Sequence, residues 1–174
     1  ITKDARLKCR SLNMAWVDYK KAYDMVPHTW IIETLNMFGI AKNLVSFLES
    51  SMPNWSTNLY CNSEYLGNVK INRGIFQGDS FSPILFVIAL IPITLALRKT
   101  NMGYKMSKNG PIVNHMFFMD DLKLFSRSEN EIDSLVQTVQ TCCSDIGMEF
   151  GISKCATLTM KRGKKVLAKD IVLP

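Results

Sequence analysis

Hydrophobic positions in this chain follow two periods, and the switches between them outline the elements. Residues 11–17 are mostly apolar and end abruptly at Asp18, as a buried strand does when it reaches the surface. Ile31, Ile32, Leu35 and Phe38 recur at helical spacing over residues 28–38, and Gly39 supplies a helix stop. Residues 42–48 predict a second helix, ended before Pro53. Residues 56–61 and 65–72 predict a hairpin turning at Asn62-Ser63-Glu64. A long apolar helix is expected over 80–98, and Asn109-Gly110-Pro111 signals a turn. Residues 113–119 and 122–126 read as two strands with Asp120-Asp121 between them, leaving room only for a tight turn. Residues 129–146 form an amphipathic helix with Ile132, Leu135, Val136, Val139 and Cys143 on one side. Glu129, Glu131 and Asp133 near its start complement the positive helix end. Residues 156–160 make a last strand. The order predicts an α+β domain, an antiparallel sheet with helices packed on one face.

Composition narrows the class. At 174 residues, 47% hydrophobic and 21% charged, the chain suits one globular domain, 1–174. Its net charge of +6 is concentrated in an N-terminal group (Lys3, Arg6, Lys8, Arg10) and a C-terminal one (Lys154, Lys161, Arg162, Lys164, Lys165, Lys169). Two basic ends suit a phosphate backbone, and they equally suit solvated surface. Residues 161–165 could also be read as a nuclear address. Five cysteines, an odd number with no C-x-x-C spacing, argue against a disulfide framework and for a reducing compartment. Two histidines, His28 and His115, give no zinc-ligand spacing. No signal-peptide pattern opens the sequence. The apolar run 81–97 approaches the length of a membrane span, but Pro83 and Pro92 interrupt it. A helix buried on most sides, bent at Pro92, is the expectation.

Candidate chemistry lies in three aspartates. Asp18, Asp120 and Asp121 each follow an apolar stretch, so each would stand where a strand reaches an exposed end. A carboxylate there is costly unless compensated, and hard divalent cations with oxygen ligands compensate it. Neighbouring strands could bring Asp18 beside Asp120. Taken alone, Asp-Asp is equally well explained as turn chemistry.

Four segments then resemble the reverse transcriptases of non-LTR retrotransposons. Val17-Asp18-Tyr19-Lys20-Lys21-Ala22-Tyr23-Asp24, with Val26-Pro27-His28, resembles their first carboxylate motif. Residues 73–83, RGIFQGDSFSP, resemble the R-G-x-x-Q-G-D-x-x-S-P loop that precedes a long helix. Phe118-Met119-Asp120-Asp121 resembles the aromatic-x-Asp-Asp hairpin. Residues 147–155, GMEFGISKC, resemble the downstream G-L-x-x-N-x-x-K-T segment. The order is right and most of the chain is covered. Residues 77–83 and the Leu173-Pro174 ending look closest to site-specific elements that carry a restriction-like endonuclease elsewhere.

The resemblance implies a polymerase palm with a ferredoxin-like core, acting as an RNA-directed DNA polymerase on an RNA template, a DNA primer and dNTP. It implies two Mg²⁺ ions, or Mn²⁺, held by Asp18, Asp120 and the Tyr19 carbonyl, with Asp121 as third carboxylate near the primer terminus. Tyr23 would be a steric gate against the ribose 2′-hydroxyl; core packing is its alternative. Gln77 and Gly78 would form the loop beneath the nascent base pair, where a side chain would obstruct the approach. Lys154 would reach the triphosphate, or be a plain surface lysine. The fingers would lie before Ile1 and the primer grip and thumb after Pro174, in the rest of a retrotransposon polyprotein acting in the nucleus. Gly151 departs from the usual Asn, and Met119 from the Ala common in related transposons. The rival readings are a domesticated relic that binds nucleic acid without synthesis and a fragment without activity of its own.

Overall fold

The computed structural model describes residues 1–167. Lys169 of the C-terminal basic group and the Leu173-Pro174 ending lie outside the described residues. In chain order the elements are α1 (Thr2–Leu7), β1 (Leu12–Val17), α2 (Ala22–Met25), α3 (His28–Met37), α4 (Lys42–Ser51), β2 (Ser56–Cys61), β3 (Glu64–Lys70), α5 (Ser82–Lys99), β4 (Tyr104–Lys105), β5 (Ile112–Val113), β6 (His115–Phe118), β7 (Asp121–Ser126), α6 (Glu129–Asp145), β8 (Ala156–Lys161) and β9 (Lys164–Val166). The sequence reads as one domain; by its internal contacts the chain divides into two compact units. One comprises Ile1–Lys20 with the residues from Ile91 on, the other Lys21–Leu90.

The first unit is built on a five-stranded sheet in the order β6-β7-β1-β8-β9. All its pairings are antiparallel. β1 is central and apolar because both of its neighbours and the packing beneath exclude water from it. Helix α6 lies against β1 and β7 and buries the stripe expected of it, Ile132, Leu135, Val136, Val139 and Cys143. Its start is capped by Ser128, whose side chain accepts from the Glu131 N–H. Its end is a Gly147 turn at φ 66°, with the Met148 N–H returning to the Cys143 carbonyl at 2.8 Å. A core of Ala5, Leu12, Met14, Tyr104, Phe125 and Met160 joins α1 to the sheet. Each fully buried aliphatic or aromatic side chain there contributes about 1.5–3 kcal/mol.

Two expectations change here. The strand anticipated over 113–119 is broken at Asn114. Its amide donates to the Leu97 carbonyl at 2.6 Å, and its carbonyl accepts from Phe125 N–H. Residues before the break pair with β4 instead. The basic run near the C-terminus contains a ninth strand, β9, which extends the sheet; three residues are too few to show a period.

In the second unit, α3 and α4 pack together, and β2–β3 form a hairpin. Asn62 and Ser63 have φ of 48° and 69°, the left-handed pair that a two-residue hairpin turn demands. Trp30 Nε1 donates to the Ala89 carbonyl at 2.9 Å. Helix α5 corrects the picture of a span buried on most sides. Leu85, Phe86, Ala89, Leu90, Ile93 and Leu97 are buried while Ile84, Val87 and Leu95 are exposed, and 39% of the 18-residue helix is buried. By length and apolarity alone this helix could cross a membrane.

Candidate active site

The site starts from strand register. Val17 pairs with Leu122 in the antiparallel β1–β7 ladder. The next residue outward on each strand, Asp18 and Asp121, therefore stand opposite one another. Alternation puts both on the same side as Trp16 and Lys123, whose ring centroid and ammonium are 5.9 Å apart. With Val17, Leu122 and Lys154 these four line a cleft of about 250 Å³.

Asp120 sits differently. Phe118 pairs with Asp121 across β6–β7, so Met119 and Asp120 form the turn. Met119 adopts φ 52°, a left-handed conformation that costs a residue with a side chain about 1–2 kcal/mol. Asp120 is half-buried on this turn and does not line the cleft with Asp18 and Asp121. Among the described residues, no three Asp, Glu, His or Cys side chains lie close enough together to enclose a metal ion. The structure thus brings Asp18, Asp121 and Lys154 together and leaves Asp120 beside them on the turn.

A second segment braces Asp18. Its carbonyl accepts from the Gly151 N–H at 2.8 Å, and the Lys20 N–H donates to the Glu149 carbonyl at 2.9 Å. Tyr19 forms a bridge with Phe150 between these bonds, their rings edge to face at 6.1 Å. The Cys155 thiol donates to the Asp18 carbonyl at 3.8 Å. Burial pushes the Tyr19 phenol well above its usual pKa, so the ring serves as packing. Gly151 has an ordinary φ of −81°. The requirement for glycine is space: a Cβ there would stand 2.7 Å from Asp18 Oδ1.

Asp18 Oδ1 is itself buried and has no hydrogen-bond partner. The Lys154 ammonium, 3.5 Å away on a largely exposed side chain, gives it charge compensation only. A buried carboxylate oxygen without hydrogen bonds costs more than the roughly 1–3 kcal/mol of a neutral group. A hard cation is the kind of partner such an oxygen lacks; Asp121 stands across the strand pair from it, while Asp120, on the adjoining turn, does not complete a set of three ligands.

The remaining predicted residues belong to the second unit. The Tyr23 ring stacks on Phe86, with centroids 4.6 Å apart and planes within 7°. Arg73 Nε donates to the Met25 carbonyl (2.7 Å), the Gly74 N–H to Val26 (2.8 Å) and the Ile75 N–H to Tyr23 (2.9 Å). The Gly74 carbonyl lies 2.7 Å from His28 Nε2. Gly74 combines φ 85° with a Cβ position only 2.8 Å from Asp24 backbone. The Arg73-Gly74 and Val26-Pro27-His28 segments are therefore two halves of one clamp, a role that sequence alone does not reveal. Gln77 and Gly78 are exposed. Gly78 has φ 92° and open space where a Cβ would be, so conformation selects glycine there, not contact. Asp79 accepts from the Ser82 N–H at 3.2 Å and from its hydroxyl at 3.1 Å, capping the start of α5.

A central antiparallel sheet that carries paired aspartates at one end, with helices against it, is the α+β palm architecture of template-directed polymerases. The chain belongs to the reverse transcriptase (RNA-dependent DNA polymerase) family, whose pattern matches residues 3–169. It is 29% identical over 154 residues to a retrovirus-related Pol polyprotein from type-1 retrotransposable element R2 of Popillia japonica, covering 88% of this chain and 25% of that protein. It is also 29% identical over 152 residues to the polyprotein of type-2 element R2DM of Drosophila melanogaster, covering 87% and 14%. The resemblance to non-LTR retrotransposons is thereby borne out. The chain spans a quarter or less of the length of these two relatives. Its fold matches apo telomerase from Candida tropicalis with a TM-score of 0.70 at 14% identity, over 97% of this chain and 35% of that one. A telomerase from Candida albicans in complex with a telomeric RNA fragment matches with a TM-score of 0.67 at 13% identity, over 93% and 32%.

Proposed function

We propose that this chain is the palm of an RNA-directed DNA polymerase that extends a DNA primer on an RNA template from dNTP. The observation that carries the reading is the buried, hydrogen-bond-free Oδ1 of Asp18, facing Asp121 across the strand pair with the lysine ammonium beside it. Asp18, Asp120, Asp121 and the Tyr19 carbonyl would hold two Mg²⁺ ions, or Mn²⁺. When bound, these ions lower the pKa of the primer 3′-hydroxyl and neutralise charge on the departing pyrophosphate. The chain's own groups do the rest. β1 and β7 bring Asp18 and Asp121 into register, so this pair would require little reorganisation at the moment of reaction. Lys154, already paired to Asp18, would orient the triphosphate and give a proton to the pyrophosphate. Tyr23, held flat by Phe86, would exclude a ribose 2′-hydroxyl, and Gln77-Gly78 would support the nascent base pair. RNA in the telomerase complex and the polyprotein relatives support an RNA template and a longer parent protein. Action on chromosomal DNA would place that protein in the nucleus, which a fluorescent fusion would show.

A second reading, a relic palm that binds nucleic acid without synthesis, is favoured by the position of Asp120 outside the cleft. Primer extension by the full-length protein separates the two. Asp120→Asn is expected to abolish extension on RNA while leaving the fold intact, and Tyr23→Val to admit ribonucleotides. Wild-type extension by Asp120→Asn would remove Asp120 from the mechanism; an unchanged nucleotide preference would make Tyr23 a packing residue. No extension by the wild type would leave the relic.

A further inference from the structure

The fold brings Arg10, from the basic group at the start of the chain, beside Lys161 and Arg162, from the one near its end. The Arg162-Gly163 turn between β8 and β9 seats on the end of α1: the Gly163 N–H donates to the Arg10 carbonyl at 3.0 Å. A Cβ at Gly163 would meet the Arg6 carbonyl oxygen at 2.9 Å. Two surface depressions flank this junction. One, of about 490 Å³, contains Arg10, Lys105, Lys108 and Arg127. The other, of about 480 Å³, contains Arg127, Lys161 and Arg162. They share Ser11 and Arg127 and so lie side by side, together making one basic channel along this face.

Six basic side chains therefore line it. Glu129 pairs with Lys161 and Glu131 with Arg127, which leaves four positive charges of the chain's net +6. Among the described residues Lys105, Lys108 and Arg162 enter no ion pair, and Lys108 and Arg162 are exposed. Ser11, Ser107 and Asn130 interleave hydroxyl and amide donors between the charges, groups that bond phosphate oxygens. The channel begins at Ser11, while the carboxylates stand at the other end of β1, about 20 Å away at strand rise.

We infer that this channel is a second nucleic-acid surface, separate from the carboxylate site, which grips a phosphate backbone without reading its sequence. Its function is to hold the parent protein on nucleic acid while the reacting end comes and goes. The inference rests on charge and geometry and is independent of the polymerase reading.

The test uses the full-length protein with Lys105→Gln, Lys108→Gln and Arg162→Gln combined, short RNA and DNA duplexes of arbitrary sequence, and a salt series. Removing three phosphate contacts is expected to lower the slope of log affinity against log salt by about two to three and to weaken binding about tenfold or more. In the wild type, bound duplex is expected to protect Lys105 and Lys108 from acetylation, and whichever duplex protects identifies the partner as RNA or DNA. Wild-type slope in the triple variant with no protection by either duplex would overturn the inference. Protection by an acidic polypeptide but by neither duplex would also overturn it. Primer extension is read separately, so failure of the carboxylate chemistry is distinguishable from failure of this surface.

Discussion

At Gly151 a hydrogen atom in place of a side chain gives Asp18 Oδ1 its position, because a Cβ would stand at 2.7 Å. The sequence shows this residue only as a departure from the family's Asn, in a loop next to Lys154. Its reason lies in an aspartate more than a hundred positions earlier. Gly151→Ala is expected to turn the Asp18 carboxylate aside and to lower metal-dependent primer extension about 10–100-fold, the scale of a reacting group misplaced by about an ångström. Thermal stability should change little, since the backbone conformation at 151 suits alanine. Undiminished extension would show that the carboxylate accommodates the methyl group without loss. Asp18, Asp120 and Asp121 were legible as candidates because each follows an apolar stretch, and as a set because the segments around them resemble the family's motifs. That Asp121, not Asp120, faces Asp18 was not legible, since it depends on which two residues occupy the turn.

At the scale of elements, the hydrophobic pattern worked where an element buries one long face or, like β1, is mostly apolar. Helices α3 and α6 and strand β1 match expectation to within a residue or two, because their apolar stripes are long enough to count. It failed where pairing or capping overrides period. The Asn114 side chain diverts the chain from the strand expected there, and β9 is only three residues long. The clamp between Arg73-Gly74 and Val26-Pro27-His28 joins its segments by hydrogen bonds that all reach backbone carbonyls, so one partner of each leaves no mark in side-chain type. Gly74→Ala tests it directly. A Cβ would meet Asp24 backbone at 2.8 Å, and φ is 85°, so a loss of about 2–4 kcal/mol is expected in urea unfolding. A loss below about 0.5 kcal/mol, the usual range for surface changes, would mean that the two segments separate readily.

For the molecule as a whole, the proposed cation site at the carboxylate end of the sheet would make stability depend on bound metal. A ligand that binds the folded state alone stabilises it by about 2.7 kcal/mol at a hundred times its Kd. For a unit of this size that corresponds to a rise of about 5–10 °C in Tm. Mg²⁺ is expected to raise the Tm of the wild type by this amount and to leave Asp18→Ala combined with Asp120→Ala unchanged. A flat wild-type titration would count against a metal site.

Local pattern was enough to specify the class of fold and the strands and helices with long apolar stripes, because burial leaves its mark in neighbouring positions, and the motifs around the three aspartates were enough to mark them as candidates. Strand order, the pairing of Asp18 with Asp121, the space kept open at Gly151 and the meeting of the two basic ends depended on the folded chain. Each is a relation between residues far apart in sequence, and short-range periodicity carries no information about which distant segments become neighbours.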